Sequence, residues 1–227
     1  MSDPKMKLII RLGLYLLGLF ITALGINLTI RADLGVTPVS GFTLSLSRLV
    51  GASLGTVTII VYALFVLAEI VLLGRRFKAR NLLQLLFNFA FGFFLDLGGI
   101  LVRPLTVHGY VMQLLWLVFG VLVMSLGVML FLSMDIVPNA PDGIVLAICE
   151  KTGSSYARVK FIFDCACVIL SLACTVLFPG RISTVREGTV IAALLTGRLV
   201  GLFSKPCGPW LRKVAFTGDQ QLALAVE

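Results

Sequence analysis

Much of the first half of this 227-residue chain recurs in the second at a constant separation of 102 residues, the distance from Gly18 to Gly120. With no gap, Gly25 meets Gly127, Asp33 meets Asp135, Gly41 meets Gly143 and Gly51 meets Gly153. Ser53 on Ser155, Val57 on Val159 and Ile60 on Ile162 complete the run. Leucine identities come easily in an apolar chain, but four glycines and an aspartate at one spacing do not. Each copy holds three apolar runs long enough to cross a bilayer. An odd-span unit followed by its copy enters the membrane from opposite sides, the inverted-repeat plan of many secondary transporters.

The runs fall at about 8–30, 54–74, 81–102, 111–134, 157–178 and 188–204, and a span needs about 20 predominantly apolar residues. They predict an all-α integral membrane protein of six transmembrane helices, arranged as two inverted three-span repeats. A mean hydropathy of +1.04 and a charged fraction of 13% agree, and leave no length for a separate soluble domain. Tyr15, Tyr62, Tyr110, Trp116 and Trp210 are too scattered for the aromatic girdles of a barrel, and no ten-residue alternation occurs. The basic start (Lys5, Lys7, Arg11) resembles a signal peptide, but the apolar run is too long and no A-x-A-like site follows, so it reads as a retained span.

The formal charge of +8 is topological. Lys5, Lys7, Arg11, Arg75, Arg76, Lys78, Arg80, Lys151, Arg158, Lys160, Lys205, Arg212 and Lys213 fall on one side of the expected spans. Arg31, Arg48, Arg103, Arg181 and Arg186 fall on the other. The positive-inside rule then sets both termini in the cytoplasm. The lipid bilayer is the expected partner and nucleic acid is not; self-association into a homo-oligomer stays open. The 5 cysteines read as small buried hydrophobes, because Cys165 and Cys167 point to different helix faces. No metal or cofactor is expected.

The chain divides into a first repeat over 11–102, a second over 114–204 and a cytoplasmic tail over 205–227, all one membrane domain. Between the first two spans of each repeat lies a Pro/Gly-rich break: RADLGVTPVSG (Arg31 to Gly41) and SMDIVPNAPDG (Ser133 to Gly143). Pro38, Pro138 and Pro141 stop a helix. The apolar stretches that follow, 40–50 and 142–151, are too short to span. Two alternatives remain for them: short helices dipping into the membrane, or surface helices on opposite faces. Irregular backbone at membrane depth is tolerated only where protein or a cavity surrounds it, and paired broken segments point to a transporter's binding site.

Six residues are candidates for solute binding: Arg198, Thr37, Ser40, Asn139, Asp142 and Asn88. Arg198 lies deepest in the sixth span, between Gly197 and Gly201, and no residue of its own helix neutralises it. Its charge is answered by a ligand or by an ion pair with Asp164, Glu69 or Asp96. Thr37, Ser40, Asn139 and Asp142 cluster at the N-termini of the short helices, where backbone N–H groups favour an anion. Asp164 and Glu69 are proton-coupling candidates; the plainer roles are an i,i+4 pair of Asp164 with Lys160 and snorkelling of Glu69 toward Arg75 and Arg76. His108 reads as a solvated loop residue. No H-E-x-x-H, phosphate-binding or nucleophile-elbow motif occurs, so no enzyme is expected and no catalytic residue is assigned.

The opening GLYLLGLFITALGINLTIRADLGVTPVSG, the PNAPDG break and GTVIAALLTGRLVGLF (Gly188 to Phe203) resemble the YitT/YczE-like family of bacterial inner-membrane proteins over about residues 10–205. The resemblance implies a multi-span plasma-membrane protein and supplies neither a substrate nor binding residues. The expected function is therefore a small secondary transporter moving a small polar or anionic solute by alternating access. The alternative is a non-transporting membrane subunit, regulatory or vitamin-capturing, that needs a partner complex.

Overall fold

The computed structural model describes residues 4–177 and 184–216. Among these residues every regular element is helical. Six helices are long and apolar enough to cross a membrane: α1 (Pro4–Ala32), α3 (Leu54–Leu73), α4 (Leu83–Leu101), α5 (Tyr110–Leu132), α7 (Tyr156–Leu177) and α8 (Glu187–Ala215). Two shorter helices, α2 (Pro38–Val50) and α6 (Ala140–Thr152), follow α1 and α5. Two 3-10 turns, Gly74–Arg76 and Ala79–Leu82, join α3 to α4. The order long, short, long, long thus occurs twice.

The first and fifth helices form the centre, and glycine dictates how closely. A methyl group on Gly18 would stand 2.7 Å from the Phe131 amide nitrogen and 2.9 Å from the Gly127 carbonyl oxygen. One on Gly120 would stand 2.9 Å from the Thr29 amide nitrogen and 3.1 Å from the Gly25 carbonyl oxygen. Rising positions on α1 therefore meet falling positions on α5, so the two helices run antiparallel with their backbones touching. In lipid, where no hydrophobic force separates one apolar helix from another, such close approach is what holds helices together. Residues matched by the repeat play matched parts: Gly18 faces Gly127, and Gly25 faces Gly120.

The remaining helices attach to this pair. Tyr15 of α1 packs against Phe87 of α4 and Phe131 of α5, at ring-centroid distances of 4.4 and 5.8 Å. Asn27 donates to the Leu95 carbonyl at 2.9 Å, which ties α1 to α4 inside the membrane. The helices α3 and α4 cross at Gly55 and Gly92, where a methyl on Gly92 would lie 2.7 Å from the Gly55 carbonyl oxygen. Asp96 of α4 accepts from the Gly55 N–H and the Ser53 hydroxyl, both at 2.7 Å, and so caps α3. Gly188 at the start of α8 donates to the Leu34 carbonyl at 2.7 Å.

One sequence expectation needs adjustment. The tail expected to begin at 205 instead continues α8 to Ala215, through Pro206 and Pro209. Burial of Leu211, Ala215 and Phe216, with the Arg11 guanidinium 4.2 Å from the Phe216 ring, holds this end against α1. Proline inside a membrane helix is tolerated where such contacts compensate. Arg181 and the last residues of the expected tail lie outside the described residues.

The glycine contact sets a graded stability. Gly18→Leu and Gly127→Leu should each lower the Tm of the detergent-solubilised protein by about 5 °C, from overpacking of about 1–3 kcal/mol. Gly13→Leu, with nothing within 4 Å of a methyl there, should leave Tm unchanged in the same thermal scan.

Candidate functional site

Each break is built the same way. α1 and α5 end at a residue with left-handed backbone, Asp33 (φ 54) and Asp135 (φ 46). That conformation is strained for most side chains but open to Asp and Asn. Pro38 and Pro141 then occupy the first turns of α2 and α6, behind Thr37 and Asn139 at their N-caps. Both short helices stop at a left-handed glycine, Gly51 (φ 69) and Gly153 (φ 67).

The short helices pack across the halves, α2 on α7 and α6 on α3. At the first contact Ser45, Ser171 and Thr184 form a closed ring of hydroxyls, with separations of 2.6, 2.5 and 2.7 Å. Ser171 also donates to the Gly41 carbonyl at 3.3 Å. At the second contact the matched position carries Glu69, against Gly143. Glu69 is 2% exposed, accepts from Asn81 at 2.6 Å and from Gln84 at 3.2 Å, and has no ion-pair partner among the described residues. The Gln84 carbonyl oxygen beside it is buried with no hydrogen-bond donor. One symmetry-related position thus holds a hydroxyl and the other a carboxylate.

Arginine from the far half closes each break. Arg80 donates to the Asp135 carbonyl at 2.7 Å, and Arg11 donates to the Met134 and Asp135 carbonyls at 2.7 and 3.0 Å. At the other end of α1, Arg186 donates to the Asp33 carbonyl at 2.5 Å, with its carboxylate 3.8 Å away. Arg11 and Asp33 are separated along α1 by about 33 Å at 1.5 Å per residue, so the two clasps sit at opposite ends of the protein.

The expected site residues come together in part. Thr37 donates to Ser40 at 3.0 Å. Ser40 borders a narrow gap, with no room for water, that Thr43, Thr58 and Tyr62 also line. Tyr62 lies beside Asn139 and Asp142. Asp142 accepts from Tyr156 at 3.0 Å and pairs with Lys160 at 3.7 Å, while Lys160 pairs with Asp164 at 3.1 Å. Asp142 and Asp164 are therefore joined through one lysine, and the i,i+4 pair foreseen for Asp164 is present. Asn88 is 3% exposed and its amide nitrogen has no hydrogen-bond partner among the described residues.

Arg198 stands apart. It lies on the exposed face of α8, with open space around Gly197 and Gly201 and no side-chain partner among the described residues. None of Asp164, Glu69 or Asp96 pairs with it, because each is already engaged as described. Sequence reasoning did not single out Gln84, Asn81, Arg80, Arg186 or the Ser45–Ser171–Thr184 ring. The signal for the ring and its partner was available, since Glu69 and Ser171 differ by the repeat separation.

The model of the family of unknown function DUF6198 matches residues 9–205. The chain belongs to that family. It is 29% identical to the uncharacterized membrane protein YczE of Bacillus subtilis over 205 residues, covering 89% of this chain and 88% of the relative. It is 25% identical to the uncharacterized protein YyaS of the same organism over 191 residues, covering 83% and 90%. No solved structure matches. The family and the six apolar helices together make this DUF6198 member a multi-pass membrane protein, and the kinship to YczE agrees with the resemblance seen in the sequence.

The Glu69 cluster supports a discriminating pair of variants. Glu69→Leu strands the Asn81 and Gln84 donors, at about 1–3 kcal/mol for each unsatisfied group, and should lower Tm by several degrees. Glu69→Gln retains polar partners and should fall clearly short of that loss in the same measurement.

Proposed function

We propose that this protein is a small secondary-transporter-like carrier, built as an inverted repeat, that moves a small polar or anionic solute by alternating access. The observation that carries the reading is the pair of matched breaks, each buried against the opposite half and each closed by an arginine from that half. In α2 the residues from Pro38 to Gly41, with Thr43, Leu44, Ser45 and Ser47, are buried, which favours a helix dipping into the membrane over one lying on its surface. Paired broken segments facing each other across a repeat interface are where such carriers bind their cargo.

In this reading the solute meets Thr37 and Ser40 from one break, Asn139 and Asp142 from the other, with Tyr62 and Asn88 between. In this reading the narrow gap beside Ser40 and Tyr62 widens to admit the solute as one clasp or the other releases. Glu69 and Asp164 are the proton-coupling groups. Glu69 is the stronger of the two, since no cation neutralises it among the described residues, whereas Asp164 shares Lys160. Arg198 is assigned no solute contact. The excess of basic residues at the N-terminal end supports cytoplasmic termini in a bacterial plasma membrane. An enzyme is not part of this reading.

One observation favours a second reading, a membrane subunit that works only with a partner. The helices α3 and α4 meet at Gly55 and Gly92, but Gly197, which matches Gly92 once three extra residues in the second copy are allowed for, faces open space, leaving one face of α8 for another chain.

Uptake by proteoliposomes containing this protein alone separates the two. Accumulation of a small carboxylate or amino acid, driven by an imposed pH gradient and lost in Glu69→Gln, is the expected result. Uptake that appears only after a partner is added supports the subunit, and pH-driven uptake undiminished in Glu69→Gln removes the coupling role.

A further inference from the structure

A wide cleft lies not among the breaks' buried contacts but beside one clasp. It has a volume of about 1060 Å³ and lies between α1, the start of α4 and the end of α8. One wall is Leu12 and Leu16 of α1; the other is Leu86, Phe87, Phe89 and Ala90 of α4. Arg11, Arg80 and Asp135 border its polar end, with Phe216 alongside. Leu86 and Phe89 are themselves more than half exposed, so the cleft opens toward the hydrocarbon side rather than into the protein.

Its chemistry is divided. The apolar walls follow α1 from Leu8 to Leu16, about 12 Å at 1.5 Å per residue. The two guanidiniums at the end are held by backbone carbonyls of Met134 and Asp135. Among the described residues neither forms an ion pair with a carboxylate. Carbonyl acceptors fix the positions of the two cations without cancelling their charge, and each guanidinium keeps N–H groups beyond those it donates. The single carboxylate at the rim, that of Asp135, leaves a net positive end.

We propose that this cleft binds one anionic phospholipid, its phosphate against Arg11 and Arg80 and an acyl chain along the α1–α4 walls. Two fixed guanidiniums suit a phosphate, which each can meet with more than one N–H. Basic pockets between membrane helices have this form where they hold lipid head groups. The lipid would bridge α1, α4 and the α5–α6 break, and so bias the clasp at that end of the protein.

Native mass spectrometry of the full-length protein, released from detergent after incubation with phosphatidylglycerol or phosphatidylcholine, tests the assignment. One phosphatidylglycerol should be retained in preference to phosphatidylcholine. Arg11→Gln with Arg80→Gln should cut that preference about tenfold, as loss of a charge-assisted contact predicts. Because Arg11 also caps α5, Ala90→Trp gives an independent variant: it fills the apolar cleft, leaves both arginines in place, and should lose the lipid too. Arg75→Gln with Lys78→Gln, outside the cleft, should bind as the parent does. Equal retention of the two lipids by the parent, or a preference that survives both cleft variants, overturns the proposal. So does a preference found only when the chain is ended at Phe216, which would make the chain's own C-terminal segment the occupant.

Discussion

The backbone contact between α1 and α5 is the constraint on which the rest depends. Glycine at 18, 25, 120 and 127 lets two antiparallel helices touch through their peptide groups, and the membrane offers no cheaper way to hold them. Once they are fixed, the ends of both helices are fixed too, and with them the positions of Asp33 and Asp135. The short helices must then start at opposite ends of the central pair. Each packs most extensively against a long helix of the other half, α2 on α7 and α6 on α3. Their interlocking is a consequence of where the central pair terminates.

On this common frame the chemistry is uneven. The position opposite Gly143 carries Glu69, while the position opposite Gly41 carries Ser171. One half therefore buries a carboxylate within a cage of amides, and the other a ring of three hydroxyls. The two clasps differ likewise: Asp135 is held by Arg80 and Arg11, but Asp33 by Arg186, which also meets Glu187 at 3.3 Å. The outer helices diverge most. Asp96 and the Gly55–Gly92 crossing bind α4 to α3, whereas α8 rests on α5 and leaves Gly197 and Gly201 uncovered. A symmetric scaffold with asymmetric buried groups can favour one direction of opening over the other, which a carrier needs and a purely structural duplication does not.

Much of this arrangement was legible in the sequence. The spans, the breaks and the Lys160–Asp164 pair follow from apolar run length, proline placement and helical spacing, while the glycines at 18, 25, 120 and 127 were visible only as repeat matches. The clasps were not legible, because Arg80 and Arg186 lie just before the third span of each half, where extra residues in the second copy end the constant separation of 102. Arg198 misled for a related reason: its depth along one helix was readable, but the direction it faces depends on how α8 sits against α5. The helix through Pro206 and Pro209 was likewise hidden, since proline argues locally for a stop and only the burial of Leu211 and Phe216 against α1 overrides it. Glu69 was visible as a charge in a span, yet its partners lie in the connection to α4, beyond the reach of helical spacing.

The proposed inverted arrangement of the two halves is tested most directly by the sidedness of α2 and α6. Arg48 and Lys151, both exposed near the ends of those helices, can each be replaced by a single cysteine in a chain whose native cysteines have been removed. A membrane-impermeant maleimide applied to right-side-out spheroplasts and to inside-out vesicles then reads which face each label occupies. Reaction at position 48 from outside and at position 151 from inside is the outcome the inverted arrangement requires. Labelling of both positions from the same face would contradict it.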